Sequence, residues 1–125
     1  MQNAPLILYI EDNQDNRKLV SRVLLAAGFR FHGVSTGSEA LAFLETQTPD
    51  LVLMDINLPE IDGYSMTRQL RRQTRFAHLP IVALTANVMK ADREKSLAAG
   101  CNGFIQKPIN VDRLPDQVWD YLNGN

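Results

Sequence analysis

Residues 51–63 read LVLMDINLPEIDG, and this stretch decides the fold. Four apolar residues run without a break into Asp55. An uninterrupted apolar run of that length, without polar alternation, is the pattern of a strand buried on both faces, as in a parallel sheet covered by helices on each side. Pro59 and Gly63 then mark a loop, and Asp62–Gly63 reads as a turn and the start of a helix.

Upstream, Leu6 to Ile10 (LILYI) repeats the pattern and again ends in acids, Glu11 and Asp12. Leu19, Val20, Val23, Leu24 and Ala27 then share one helical face, and Gly28 stands where helices commonly end in the left-handed conformation. Residues 29–34 make a second strand. Thr36 or Ser38 can cap a helix bearing Ala40, Leu41 and Leu44. Downstream, a helix turns Met66 and Leu70 inward. Arg68, Arg71, Arg72 and Arg75 around them are read as a solvated basic face. Pro80 opens a fourth strand, IVALT. A short polar helix from Lys90 to Ala99 stops at Gly100 and has few apolar anchors, so it is expected to be loosely held. Phe104 and Ile105 mark a brief fifth strand. Leu114, Val118, Tyr121 and Leu122 make a last helix, with Pro115 tolerated in its first turn.

Five strands alternating with five helices predict an α/β fold with parallel pairing, right-handed crossovers and helices on both faces of the sheet. In such sheets, sites lie beyond the carboxyl ends of the strands. The length of 125 residues suits one domain, 1–125, with a core that needs no disulfide or metal staple. A net charge of −1 offers no basic field for nucleic acid. No apolar stretch approaches the roughly 20 residues that span a bilayer, and the first residues lack the features of a signal peptide. The single cysteine, Cys101, has no internal partner and fits a reducing cytosol; it is read as a small filler. His32 and His78 are isolated and lack metal-ligand spacing.

The strand ends carry the chemistry. The first ends in Glu11 and Asp12, the third in Asp55, the fourth in Thr85, and the fifth runs into Lys107. Three carboxylates and one ammonium on one rim sum to about −2 at neutral pH. Two like charges ~4 Å apart repel by about 4 kcal/mol at an effective dielectric of 20, so the rim calls for a cation. Hard carboxylate oxygens with room for water suit Mg2+ or Mn2+ better than zinc. The same turn excludes a dinucleotide or flavin phosphate. It reads EDNQDN, with no glycine to bring backbone N–H groups onto a phosphate and three acids to repel one. A carboxylate on a metal-bearing rim can accept a phosphoryl group, and Asp55 is the candidate nucleophile. Lys107 and Thr85 would hold phosphoryl oxygens by charge and hydrogen bond. The bland alternative, that Glu11 and Asp12 simply favour a helix N-terminus, explains neither Asp55 nor Lys107.

The segments LYIEDN, LVLMDINLPEIDG, IVALTAN and GFIQKPI, in this order and spacing, resemble the receiver domain of two-component response regulators over nearly the whole chain. The resemblance implies a flavodoxin-like sheet of strand order 2-1-3-4-5. It implies Asp55 as phosphoacceptor, with Asp12 binding Mg2+ directly, Glu11 through water, and the Asn57 backbone carbonyl completing the protein ligands. Thr85 would be the switch hydroxyl, with small Ala86 leaving space for phosphate, and Lys107 the phosphate-sensing lysine in a cis bond to Pro108. Phe104 would occupy the aromatic switch position, lacking the hydroxyl of a tyrosine, while Asn57 and Asn87 stand where the family tunes dephosphorylation. The implied donor is the phosphohistidine of a histidine kinase or phosphotransfer protein. The implied output is a protein target on the face made by the fourth helix, fifth strand and last helix, in the cytoplasm, with no direct nucleic-acid contact.

A Mg2+-dependent phosphatase with an aspartate nucleophile is the rival from another class. It would need a second acid near the nucleophile and a substrate cap, but Asn57 stands two residues beyond Asp55 and no cap insertion exists. A pseudo-receiver used only for binding would not need the full set of acids, Thr85 and Lys107. Both a stand-alone regulator and a receiver from a larger protein, such as a hybrid kinase, fit the sequence.

Overall fold

The computed structural model describes residues 4–86 and 89–124. Its strands are β1 (Leu6–Ile10), β2 (Arg30–Val34), β3 (Leu51–Asp55), β4 (Ile81–Thr85) and β5 (Gly103–Gln106). The helices between and after them are α1 (Gln14–Ala26), α2 (Gly37–Thr46), α3 (Gly63–Arg71), α4 (Lys90–Ala99) and α5 (Leu114–Leu122), with a short 3-10 turn at Thr74–Phe76. All four strand pairings are parallel and the order is β2-β1-β3-β4-β5. The sheet order expected from sequence is therefore the one observed.

Every residue of β1, β3 and β4 is buried, which is what their unbroken apolar runs require. Alternate side chains leave the sheet on opposite faces and build two cores. Leu8, Ile10, Val52, Met54, Ile81 and Ala83 pack with Ala40 and Leu44 of α2 and Met66 and Leu70 of α3. Ile7, Tyr9, Leu51, Leu53, Val82 and Leu84 pack with Val20 and Leu24 of α1 and Leu114 and Val118 of α5. Full burial of each such aliphatic side chain stabilises the fold by about 1.5–3 kcal/mol relative to exposure.

The helix ends follow from local chemistry. Thr36, rather than Ser38, caps α2 by accepting the Glu39 N–H. Ser38 instead donates to the Glu60 carboxylate at 2.7 Å. Asp62 caps α3 by accepting the Ser65 N–H at 2.9 Å, and Asn13 caps α1 by accepting that of Asn16. Gly100, with φ of +107°, ends α4 in the left-handed region where a side chain is strained. In α4 only Ser96 and Ala99 are buried, while Leu97 is 60% exposed, so its apolar anchors are few, as the sequence indicates.

Two expectations need correction. Phe29 lies before β2 and is buried beside α1 rather than forming the strand's first residue. The four arginines do not form one solvated helical face. Arg71 turns inward, its guanidinium donating to the carbonyls of Gly100 (2.9 Å) and Phe76 and to Asn102 Oδ1 (2.8 Å). Arg75 leaves the helix and lies over the Phe76 ring. Three acceptors within hydrogen-bond reach of one guanidinium outcompete solvent for a planar five-donor fork, which periodicity along a helix cannot reveal.

Candidate functional site

The rim is built by where the strands stop. The parallel register sets Asp55 against Leu84 and Ile10 against Met54, so Glu11, just past β1, stands near Asp55 at the end of β3. The backbone leaves β4 at Thr85, whose carbonyl accepts the Lys107 N–H at 2.8 Å and so brings the residue following β5 to the same rim. Glu11, Asp12 and Asp55 each place a carboxylate oxygen within 4.8 Å of the others. Glu11 and Asp55 are buried, each 2% exposed, whereas Asp12 faces solvent.

Lys107 bridges the buried pair, its Nζ 3.3 Å from Glu11 Oε1 and 3.2 Å from Asp55 Oδ2. The other oxygen of Asp55 accepts the Asn57 N–H at 3.1 Å. Glu11 is held on several sides. Oε1 accepts from the Tyr9 hydroxyl at 3.0 Å and the Asn16 amide at 3.5 Å, and Oε2 accepts the Asn13 N–H at 3.2 Å. Arg17 donates to the Glu11 backbone carbonyl at 2.6 Å, fixing the turn that leads to Asp12.

Burial, opposed by the Asn57 N–H and aided by the charge of Glu11, raises the Asp55 carboxyl above its ordinary range. Burial acts on Glu11 in the same direction, but the Asn13 N–H, Asp55, Lys107 and Tyr9 together outweigh it and hold Glu11 low. Burial disfavours the Lys107 ammonium, yet Asp55 and Glu11 outweigh it and raise Lys107. Two buried carboxylates that share one lysine at the carboxyl end of the sheet make this rim the candidate site. At an effective dielectric of 20, acids ~4.8 Å apart repel by about 3–4 kcal/mol per pair, and each lysine contact attracts by about 5 kcal/mol before screening. Lys107 thus offsets only one of the two charges of Glu11 and Asp55, and Asp12 has no cationic side chain within 4.0 Å among the described residues. An all-oxygen donor set with one acid open to water and a residual negative charge fits a hard divalent cation.

The other residues singled out in the sequence are placed as follows. Thr85 is buried at the end of β4, and Ala86 is exposed just beyond it. The Lys107–Pro108 peptide bond is cis. Phe104 is half-buried on β5, against the α2/α3-side core, with the Arg93 guanidinium 5.9 Å above its ring. Asn57 is exposed and reaches Asp55 through its backbone. Asn87 lies outside the described residues. Sequence reasoning assigned Tyr9 and Asn13 no part in this site. Both had a signal: Tyr9 stands two residues before Glu11 near the end of the first apolar run, and Asn13 follows the acid pair at the start of a helix.

Residues 7–118 match the family model of the response regulator receiver domain. The chain belongs to this family. The receiver domain is similar to the polar-differentiation response regulator DivK of Brucella abortus (strain 2308), with 38% identity over 116 residues, covering 93% of this chain and 94% of the relative. Among solved structures, it is similar to the receiver domain of the sensor histidine kinase PA1611 from Pseudomonas aeruginosa PAO1, at 38% identity and a TM-score of 0.86, covering 96% of this chain and 98% of that one. That structure is described as holding a magnesium ion in its active site cleft. The chemotaxis response regulator CheY4 of Vibrio cholerae superposes with a TM-score of 0.91 at 26% identity, covering 95% and 99% of the two chains. The protein is therefore a receiver domain of two-component signalling with a CheY-like, flavodoxin-type fold.

Proposed function

We propose that this receiver domain accepts a phosphoryl group on Asp55 from the phosphohistidine of a histidine kinase or histidine phosphotransfer protein, with Mg2+ required. The observation that carries the reading is Asp55 itself. It is a buried carboxylate at the end of β3, oriented by the Asn57 N–H through one oxygen and by Lys107 through the other. In the transfer, an Asp55 oxygen forms a bond to phosphorus as the P–N bond to the donor imidazole breaks, and the imidazole leaves with the electron pair.

Glu11, Asp12, Asp55 and the Asn57 carbonyl would hold the cation, Mg2+ or Mn2+, which when bound would supply positive charge to offset carboxylates and phosphoryl oxygens together. Lys107 then turns from Asp55 to a phosphoryl oxygen, the Thr85 hydroxyl donates to another, and Ala86 leaves room for the group. Phe104 moves with Thr85, and the face formed by α4, β5 and α5 changes its affinity for a protein target. Apart from accepting phosphate and hydrolysing its own aspartyl phosphate, the domain, spanning 1–125, acts as a regulator and not as an enzyme. Its setting is the cytoplasm, without direct nucleic-acid binding. No helix among the described residues is long and apolar enough to cross a membrane.

Incubation with acetyl phosphate and Mg2+, followed by intact mass measurement, should add one phosphoryl group. Asp55→Asn should remain unlabelled. Full labelling of that variant would place the phosphoacceptor elsewhere.

A further inference from the structure

Glu11 presents a problem that an aspartate would not. Its arm has one more torsion, so ordering it costs more conformational entropy. Its carboxylate must also stand at one point of the rim. The Asn13 N–H and the Asn16 amide come from the start of α1, at the solvent edge. Lys107 is shared with Asp55 and is the very group that would swing away to a phosphoryl oxygen.

The Tyr9 hydroxyl is different. Tyr9 lies on β1 two residues before Glu11, is 0% exposed, and is packed in the α1/α5-side core against the edge of Phe31, 6.3 Å between ring centroids. Close packing around the fully buried ring holds the hydroxyl as a donor 3.0 Å from Glu11 Oε1.

We infer that Tyr9 is a positioning residue for the divalent cation, its buried hydroxyl fixing the Glu11 carboxylate in the geometry from which it serves the metal. The inference rests on the metal reading of the rim given above. It deepens that reading by extending the site to a residue inside the core. Groups that orient a metal-serving side chain without touching the ion typically contribute 10- to 100-fold in affinity. Because Glu11 keeps three further partners, the lower end of that range is expected here.

The test is direct Mn2+ titration by electron paramagnetic resonance of the free ion, on the intact chain, with Mg2+ competition. Tyr9→Phe keeps the ring and should raise the Mn2+ dissociation constant about tenfold. It should have no further effect in a Glu11→Ala background, since the hydroxyl then has nothing to orient. 4-Aminophenylalanine at position 9, which restores a donor, should recover most of the loss. A dissociation constant for Tyr9→Phe within twofold of the parent overturns the inference, and so does an equal loss in the Glu11→Ala background. Absence of Mn2+ binding by the parent chain overturns the metal reading as well, which separates the two failures.

Discussion

Replacing Arg71 by methionine should destabilise the protein by about 2–3 kcal/mol, far more than an exposed helical arginine would. Methionine keeps much of the aliphatic stem and removes the fork. Hydrogen bonds from a charged donor contribute about 1.5–3 kcal/mol when shielded. Two of the three here, to the Gly100 and Phe76 carbonyls, are only half-shielded, and the third, to Asn102, is exposed. About 1 kcal/mol for each of the first two and a fraction for the third gives the stated total. Lysine should restore little, because a point charge cannot serve three diverging acceptors.

Urea unfolding followed by far-ultraviolet circular dichroism is the assay. With a slope of about 1.5–2 kcal/mol per molar, the midpoint should fall by about 1–2 M at unchanged slope. A second arm sharpens it. A Cβ on Gly100 would lie 2.8 Å from Arg71 Cγ, so Gly100→Ala should cost steric strain in addition to the cost of its positive φ. The steric part should disappear in an Arg71→Ala background. A loss below about 0.5 kcal/mol for Arg71→Met would show that the fork makes no net contribution and would refute the reasoning.

Asp12→Asn and Asp55→Asn should each raise the thermal midpoint in EDTA by about 3–5 °C, corresponding to about 1 kcal/mol of relieved repulsion. Millimolar Mg2+ should stabilise the parent chain and do much less for Asp12→Asn. A Cβ at Gly63 would stand 2.7 Å from the Asp55 carbonyl oxygen and 2.9 Å from Ile56 Cα. Backbone must therefore shift, and Gly63→Ala should cost about 2–3 kcal/mol and impair labelling from acetyl phosphate. Hydrogen bonds from the Ser35 hydroxyl and N–H hold Glu39 below its ordinary value near 4.5, so its stabilising contribution is complete above that value and is lost as pH falls through the lowered one. Glu39→Gln should accordingly reduce stability at pH 7 and leave it unchanged once both states are protonated; equal losses at both ends of the range would assign the effect to packing. Thr85→Ala and Lys107→Ala should retain some labelling yet lose the phosphorylation-dependent amide shifts of α4, and normal shifts in both would route the switch elsewhere.

The fold was legible because three strands are buried on both faces and write that burial as unbroken apolar runs. The rim was legible because each run stops at a residue that does not belong in a core. What escaped is of a different kind. Tyr9 sits inside LILYI, where its ring satisfies the apolar pattern and its hydroxyl, the only polar side-chain atom of the strand, passes unnoticed. Arg71 looks like any other member of a basic run, because its acceptors lie 5, 29 and 31 residues away in sequence. Periodicity records which side of a helix faces inward, but it does not record which distant carbonyls stand within reach.

The contrast between α4 and the inner strands has a consequence for exchange with solvent. Amides of β1, β3 and β4 are hydrogen-bonded inside a sheet whose side chains are buried on both faces, so their deuterium uptake should require global unfolding. The α4 helix has only Ser96 and Ala99 buried and leans on α3 through a 3.4 Å contact between Ser96 and Tyr64. Its amides should exchange through local openings that leave the sheet intact. The two populations should therefore separate in time, so that an event at the rim that reaches α4 would change its uptake against a silent background.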